Sequence, residues 1–371
     1  MIMKVKLIYI VNKIENSAVT NILNSLIPYL KPQFCIEIIS LQPIDKKSVK
    51  IIEHFGSMNI IPVSLNCSKY NFIETYFRLV KYLKRLNPKI VHSNLGRADI
   101  FSAIAKTKNV RLLNTFHCEK KNHKLLTQIG YRLTDRRVDW RICISKSVAR
   151  SYYNHGFKSP HSVIYNPIDI NGFTKPINRE EIRNNLGFKP NEQIIINVGR
   201  LIKCKGQRYL IEVMPHLCHL LPEIKLLIVG DGPQYNSLKK LISKYNLENN
   251  VYLLGYRQDV QNLLKISDLF VYSAQWEGLG MAVIEAMATR IPVLAHPLPA
   301  LKEYIIDNHN GYFCNIHLKE SFANKIYDIL TNSHHNSSIA ENAFRTVTDM
   351  FSTDKISKQY IELYRQLLSN R

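Results

Sequence analysis

No run of apolar residues in this sequence approaches the about 18 that a membrane-spanning helix requires, and Leu7 to Val11 is too short for a signal-peptide core. The chain is therefore expected to stay in the cytoplasm. No cysteines are spaced Cys-x-x-Cys. The seven present, Cys35, Cys67, Cys118, Cys143, Cys204, Cys218 and Cys314, are odd in number and scattered, so they read as reduced core thiols rather than a disulfide framework or a zinc site. No Gly-x-Gly-x-x-Gly follows the first strand, which argues against a nicotinamide-dependent oxidoreductase. Helix-turn-helix, zinc and aromatic ribonucleoprotein signatures are also missing, which argues against reading of nucleic-acid bases. No Pro-, Gly- or Ser-rich block marks a disordered segment. Acidic residues are scarce, 29 against 50 Lys and Arg, for a net charge of +21.

The 371 residues, 46% of them apolar, exceed what one core usually organises, so two α/β domains facing a cleft are expected. The charge is uneven. Positions 1–170 carry 27 Lys and Arg against 10 Asp and Glu, a net of +17, whereas 171–371 carry 23 against 19, a net of +4. Such a field attracts nucleic acid, anionic lipid or phosphorylated substrates and says nothing about fold.

Short β-branched runs alternate with helical periodicity. Val5–Val11, Phe34–Leu41, Ile60–Val63, Ile90–His92, Leu112–Thr115 and Arg141–Ile144 read as strands, with helices such as Asn16–Leu30 and Asn71–Leu86 between them. An irregular stretch from Asn166-Pro167-Ile168-Asp169 to about Asn191 reads as an interdomain linker. A second series then follows: strand Ile194–Val198, helix Gly206–Leu220, strand Lys225–Val229, helix Gln234–Tyr245, strands Val251–Leu253 and Asp268–Tyr272, helix Gly280–Ala288 and strand Pro292–Ala295. The expected architecture is two doubly wound, Rossmann-like parallel-sheet domains, 1–170 and 171–371. A last helix, about Thr353 to Leu368, has no strand after it and is free to pack back on the first domain.

Three segments of the second half end apolar strands with glycine or basic residues: Gly199-Arg200-Leu201 with Lys205-Gly206, Gly230-Asp231-Gly232-Pro233, and Glu277-Gly278-Leu279-Gly280. Arg200 and Lys205 across a glycine-containing turn either close on one anion, as a diphosphate leaving group needs, or are solvated charges beside a strand end. Gly230 to Pro233 reads as a turn before a helix. Glu277 and Glu285 are eight residues apart, roughly 12 Å if the stretch is helical. They reach the two ends of a sugar-diphosphate-ribose, or they are a turn acid and a solvated helix face. Between them the amides of Gly280, Met281 and Ala282 are placed to face a phosphate.

With Ile291-Pro292-Val293 after Glu285-Ala286-Met287-Ala288, these segments resemble the GT-B glycosyltransferases of family 4, the group 1 retaining enzymes. The first half adds Ile90-Val91-His92-Ser93, Thr115-Phe116-His117, Ile144-Ser145 and Val163-Ile164-Tyr165-Asn166 in the family's order. The resemblance implies transfer of a sugar from a nucleotide-sugar donor with retention of configuration, the leaving phosphate taking the acceptor proton. It implies that Arg200 and Lys205 bind the donor diphosphate, Glu285 the ribose hydroxyls and Glu277 the transferred sugar, with Tyr256-Arg257 at the base and His117 near the donor sugar. Without the resemblance, His117 is a strand-end histidine satisfied by backbone. It also implies a carbohydrate or polyprenyl-diphosphate-linked saccharide as acceptor, with bacterial surface polysaccharide synthesis as the setting. Alternatives are a sugar-nucleotide epimerase, another GT-B enzyme or a basic nucleic-acid-binding protein.

The chain departs from the pattern at Asn12-Lys13-Ile14-Glu15-Asn16-Ser17, where glycines are usual, and at Thr289-Arg290 and Pro299-Ala300 before Glu303. No Asp-x-Asp occurs, so no metal or other cofactor is expected and the diphosphate must be met by protein groups. The segment Lys120 to Arg150 holds nine cations, Arg132, Arg136, Arg137 and Arg141 among them, with Leu125, Leu126, Ile129 and Leu133 at helical spacing. It reads as a basic amphipathic element for an anionic membrane surface, or as a solvated helix whose apolar side faces the core. The partners expected are thus the donor, the acceptor and the membrane, and no nucleic acid.

Overall fold

The computed structural model describes residues 4–15, 17–45 and 48–369. It forms two compact units, Met1–Ile168 with Phe351–Arg371, and Asp169–Met350. The carboxyl-terminal segment therefore belongs to the first unit: the last helix packs back on the first domain, as the sequence left open, and the second unit ends at Met350 rather than 371.

The first unit holds a seven-stranded sheet of β1 (Val5–Val11), β2 (Phe34–Ser40), β3 (Val63–Ser64), β4 (Ile90–Asn94), β5 (Arg111–Phe116), β6 (Trp140–Cys143) and β7 (His161–Val163). Its order is β3-β2-β1-β4-β5-β6-β7, and every pairing is parallel. From Leu7 to Val11 both faces of β1 are buried, as that unbroken apolar run requires. Leu7, Tyr9 and Val11 join one core with helices Ala18–Leu30 and Thr353–Ser369, while Ile8 and Ile10 join the other with helices Phe72–Leu86 and Gly96–Ala105. Helix Ala18–Leu30 is capped by Ser17, whose hydroxyl accepts from Thr20 N–H. Asn16, the expected start of that helix, lies outside the described residues.

The second unit holds β8 (Gln193–Val198), β9 (Ile224–Val229), β10 (Val251–Gly255), β11 (Leu269–Tyr272), β12 (Val293–Ala295) and β13 (Tyr312–Phe313) in the order β10-β9-β8-β11-β12-β13, again all parallel. The linker reading needs correction, because helices Ile170–Thr174 and Arg179–Asn185 form there and belong to this unit. Arg183 ties the second helix down by donating to Ile266 O at 2.8 Å and to Asp268 at 2.8 Å. The strand expected at Ile60–Val63 is displaced to Val63–Ser64.

The basic segment from Lys120 to Arg150 is not one helix. It comprises a single turn Lys120–Asn122, helix Leu125–Thr134, a turn Asp135–Arg137, strand β6 and helix Lys146–Tyr153. Arg141 is 0% exposed inside β6, bonded to Asp135, Ser159 and Asn114, so it adds nothing to the surface field. None of the seven cysteines is in a disulfide, but only Cys67 and Cys143 are buried and Cys35 is exposed, so the core-thiol reading holds for two of them.

Candidate functional site

In the second sheet β8 lies between β9 and β11, so the chain leaves β8 toward one side and reaches β11 on the other. Such a switch point opens a crevice at the carboxyl ends of the two strands. The loops after β8 and β11 meet there. Ser273 Oγ donates to Lys205 O at 3.0 Å and Gln275 N–H to Cys204 O at 2.8 Å. Gly206, with φ of +69°, passes so close that a Cβ would sit 2.0 Å from Ser273 O, so no other residue fits without displacing the backbone. Gln207 donates to Arg200 O at 3.1 Å and Leu201 N–H to Asp231 O at 2.9 Å, which fixes the Gly199-Arg200-Leu201 turn. Gly230 to Pro233 is thus a structural buttress of that turn, in line with its reading as a turn.

Lys205 Nζ forms an ion pair with Glu277 Oε2 and donates to Tyr272 Oη at 2.8 Å; the Tyr272 hydroxyl donates in turn to Glu277 Oε2. Gly278 N–H donates to Glu277 Oε1 at 3.0 Å. Burial opposes ionisation of Glu277, but Lys205, Tyr272 and the Gly278 amide overcome it and hold the carboxyl below its ordinary value. Burial, then the adjoining Glu277 carboxylate, push the Tyr272 hydroxyl well above its ordinary value, so it stays a donor. Sequence reasoning missed Tyr272, since a tyrosine ending an apolar strand carries no signal until its hydroxyl meets two charged groups.

Gly280, at φ of +88°, opens helix Met281–Ala288, and a Cβ there would lie 2.7 Å from Leu301 Cδ2. The amides of Gly280, Met281 and Ala282 have no acceptor among the described residues, as expected at a helix amino end. Glu285, half-buried on this helix, has neither a hydrogen-bond nor an ionic partner among the described residues. Burial pushes its carboxyl up to about 7. Arg200 is exposed and its guanidinium has no partner among the described residues. Arg257 is instead held by Asp259 through two bonds, of 2.8 and 2.6 Å, beside the exposed Tyr256 just after β10. The loops after β8 and β11 thus bring Lys205 and Glu277 together at one switch point, with Gly199 and Arg200 on the first loop, Gly280, Met281, Ala282 and Glu285 on the helix that follows the second, and Tyr256 and Arg257 after β10, two strands away on the same edge.

His117 belongs to the first unit, where it follows β5. Its Nε2 lies 2.9 Å from Asn94 Oδ1 at the end of β4, and burial, aided by His123, lowers it to about 4, so the ring is neutral near pH 7. Its partner is an asparagine side chain rather than backbone. Leu95, next to Asn94, holds a φ of +76°, a strained conformation for a branched residue.

Two sequence profiles match this chain. The one described as glycosyl transferases group 1 covers residues 178–346, and the one described as glycosyltransferase family 4 covers residues 37–171. The chain belongs to the family 4 glycosyltransferases. Similar family members include the Escherichia coli UDP-Gal:α-D-GlcNAc-diphosphoundecaprenol α-1,3-galactosyltransferase, 28% identical over 340 residues, 85% of this chain and 82% of that protein. The Staphylococcus aureus poly(ribitol-phosphate) α-N-acetylglucosaminyltransferase is 29% identical over 202 residues, 54% of this chain and 41% of that one. Anabaena HepE, solved with UDP and glucose, superposes with a TM-score of 0.86 at 20% identity over 98% of this chain and 100% of its own, and shares the GT-B fold. The glycosyltransferase fold and family are thereby shown. Among the described residues no helix is long and apolar enough to cross a membrane.

Proposed function

We propose that this glycosyltransferase moves a sugar from a uridine diphosphate donor to a lipid-linked saccharide in surface polysaccharide synthesis, with retention of configuration and without a metal. The observation that carries the proposal is the arrangement around the β8/β11 switch point. An ionised Glu277 is held by Lys205 and Tyr272 where the loops after β8 and β11 meet; Arg200 on the first loop, and the amides of Gly280 to Ala282 and the carboxyl of Glu285 on the helix after the second, have no partner among the described residues. Arg200, Lys205 and the amides of Gly280 to Ala282 supply positive charge where negative charge develops on the departing diphosphate. Lys205 keeps a third N–H for a phosphate oxygen while bonded to Tyr272 and Glu277. Glu285 accepts both ribose hydroxyls, and Glu277 accepts from hydroxyls of the transferred sugar. Tyr256 flanks the base. The acceptor hydroxyl attacks from the face the diphosphate leaves, and a phosphate oxygen takes its proton; no protein nucleophile is assigned.

The uridine donor and diphosphate-lipid acceptor are supported by the names of the E. coli relative and of the HepE complex. An acceptor of that kind sits in a membrane, so the basic first unit is read as facing its anionic cytoplasmic surface. Incubation with a panel of UDP-sugars and a synthetic polyprenyl-diphosphate N-acetylglucosamine tests the proposal. NMR of the product is expected to show the donor's anomeric configuration; an inverted linkage overturns retention, and transfer from other nucleotides but not uridine overturns the donor.

A further inference from the structure

Helices Phe72–Leu86, Gly96–Ala105 and Leu125–Thr134 form one layer over a face of the first sheet. Phe72 stacks on Phe101 at 6.0 Å, the Arg97 guanidinium lies over both rings, and Tyr131 donates to Asp99 at 2.7 Å. The outer side of this layer is apolar where a soluble surface is usually polar. Phe72 is 60% exposed, Ile73 74%, Leu125 70%, Leu126 82% and Leu133 77%. Residues 69–137 also carry 16 Lys and Arg against 4 Asp and Glu. Two of those four acids, Asp99 and Asp135, are buried.

Four of these residues, Phe72, Ile73, Leu125 and Leu126, share one end of the layer, whereas Leu133 lies at the far end of its helix. In a parallel sheet the helices run back against the strands, so the amino ends of two connecting helices share the carboxyl edge of the sheet. Phe72 and Ile73 open one such helix and Leu125 and Leu126 the other, at the edge where His117 and Asn94 stand. Lys69, Lys121 and Lys124 are exposed beside them.

We infer that this edge of the first unit inserts Phe72, Ile73, Leu125 and Leu126 into an anionic lipid bilayer, with the surrounding lysines and arginines on its headgroups. The inference rests on the reading of the acceptor as membrane-borne, and it fixes which end of the unit meets the lipid. Apolar side chains ringed by cations match a surface with an apolar interior and an anionic rim. A second copy of the chain fits less well, because it brings the same surplus of positive charge to the contact.

Insertion differs from surface adhesion in its response to salt. At about 1 M salt the screening length is ~3 Å, which removes adhesion but leaves apolar burial. The wild-type protein is therefore expected to stay on phosphatidylcholine vesicles containing phosphatidylglycerol at that salt concentration. The variant Phe72→Ser, Ile73→Ser, Leu125→Ser, Leu126→Ser should partition at least ~100-fold less, each inserted side chain being worth about tenfold. A single Leu126→Trp protein should shift its emission to the blue on the same vesicles. Complete release of wild type by salt, wild-type partition of the quadruple variant, or an unmoved Leu126→Trp emission each overturns the inference. So does a concentration-dependent dimer that only the quadruple variant fails to form, which would assign the face to a second copy.

No acceptor is used in these assays, so the two readings fail separately. A protein that takes up UDP and inserts into vesicles yet transfers no sugar keeps this surface and refutes the proposed function. One that transfers sugar to the polyprenyl-diphosphate acceptor in detergent and ignores vesicles does the reverse. Unchanged UDP affinity and unfolding temperature in the quadruple variant establish that its fold is intact.

Discussion

Replacing Glu285 with glutamine is expected to move stability and donor affinity in opposite directions. Burial raises the carboxyl from 4.5 to about 7, and the side chain has no partner among the described residues to offset the loss of water. Below about pH 4.5 the group is protonated both folded and unfolded, and burial costs nothing through its charge. Between 4.5 and 7 the unfolded chain loses the proton first, so the folded state binds more protons and the unfolding free energy falls as pH rises. Above about 7 the full cost is present. A displacement of that size corresponds to at most about 3 kcal/mol, and water at the half-exposed rim reduces it to about 1–2 kcal/mol.

Glutamine has the same shape and no charge to bury. At about pH 8 the Glu285→Gln protein should unfold about 2–8 °C later than wild type, and near pH 4.5 the two should coincide. Its donor KM should rise about 10- to 150-fold, since one charge-assisted bond to a ribose hydroxyl is worth about 1.5–3 kcal/mol. The wild-type donor KM should itself climb as pH falls through about 7, because the protonated acid is the weaker acceptor. Thermal unfolding across this pH range, with donor kinetics on the same samples, reads both effects. A stability difference that does not change with pH, or a glutamine variant less stable at about pH 8, refutes the reasoning, because it would mean the carboxylate is compensated in the folded state.

Lys205→Ala and Arg200→Ala should each lower kcat by about 10- to 150-fold, since their bonds strengthen as the diphosphate departs; wild-type kinetics in either variant rules out the phosphate clamp. Tyr272→Phe should lower kcat about tenfold with little change in donor KM, and it should move the acid limb of the kcat–pH profile upward. The sign follows because the Tyr272 hydroxyl is one of the groups holding Glu277 down; an unmoved limb would show that the hydroxyl is only packing. Transfer should also continue in EDTA, and complete loss restored by manganese or magnesium sinks the metal-free proposal.

What could be read from the sequence depended on how local the cause was. The runs Ile194–Val198 and Lys225–Val229 announce buried parallel strands because both their faces must be apolar. Tyr312–Phe313 is too short to stand out, yet it forms the edge strand β13. Arg179 and Arg183 look like linker charges, but their partners are Ile266 O and Asp268, more than 80 residues further on. Arg141 counts toward a basic surface in any residue tally, although Asp135, six residues earlier, takes it into the core. Glu277 and Glu285 stand out by spacing, whereas their opposite titration does not. One is held down by Lys205, far away in sequence, and the other is pushed up because nothing approaches it.

The same distinction governs the carboxyl-terminal helix, Thr353–Ser369. Its apolar stripe states only that it packs somewhere, and chain order places it after the second sheet. Polar groups decide where it goes. Tyr364 Oη lies 2.8 Å from Tyr9 Oη and 2.7 Å from His92 Nδ1, and His92 Nε2 lies 2.7 Å from Thr115 Oγ1, all inside the first unit. Burial lowers His92 to about 3, so a neutral imidazole links the helix to β4 and β5. Leaving any of these groups buried and unpaired would cost about 1–3 kcal/mol, so a helix supplying the tyrosine hydroxyl fits this core better than a purely apolar one. His92 and Thr115 lie in the two strands whose following residues include Asn94 and His117. The helix that completes their hydrogen bonds therefore also steadies the strand ends carrying the Asn94–His117 pair.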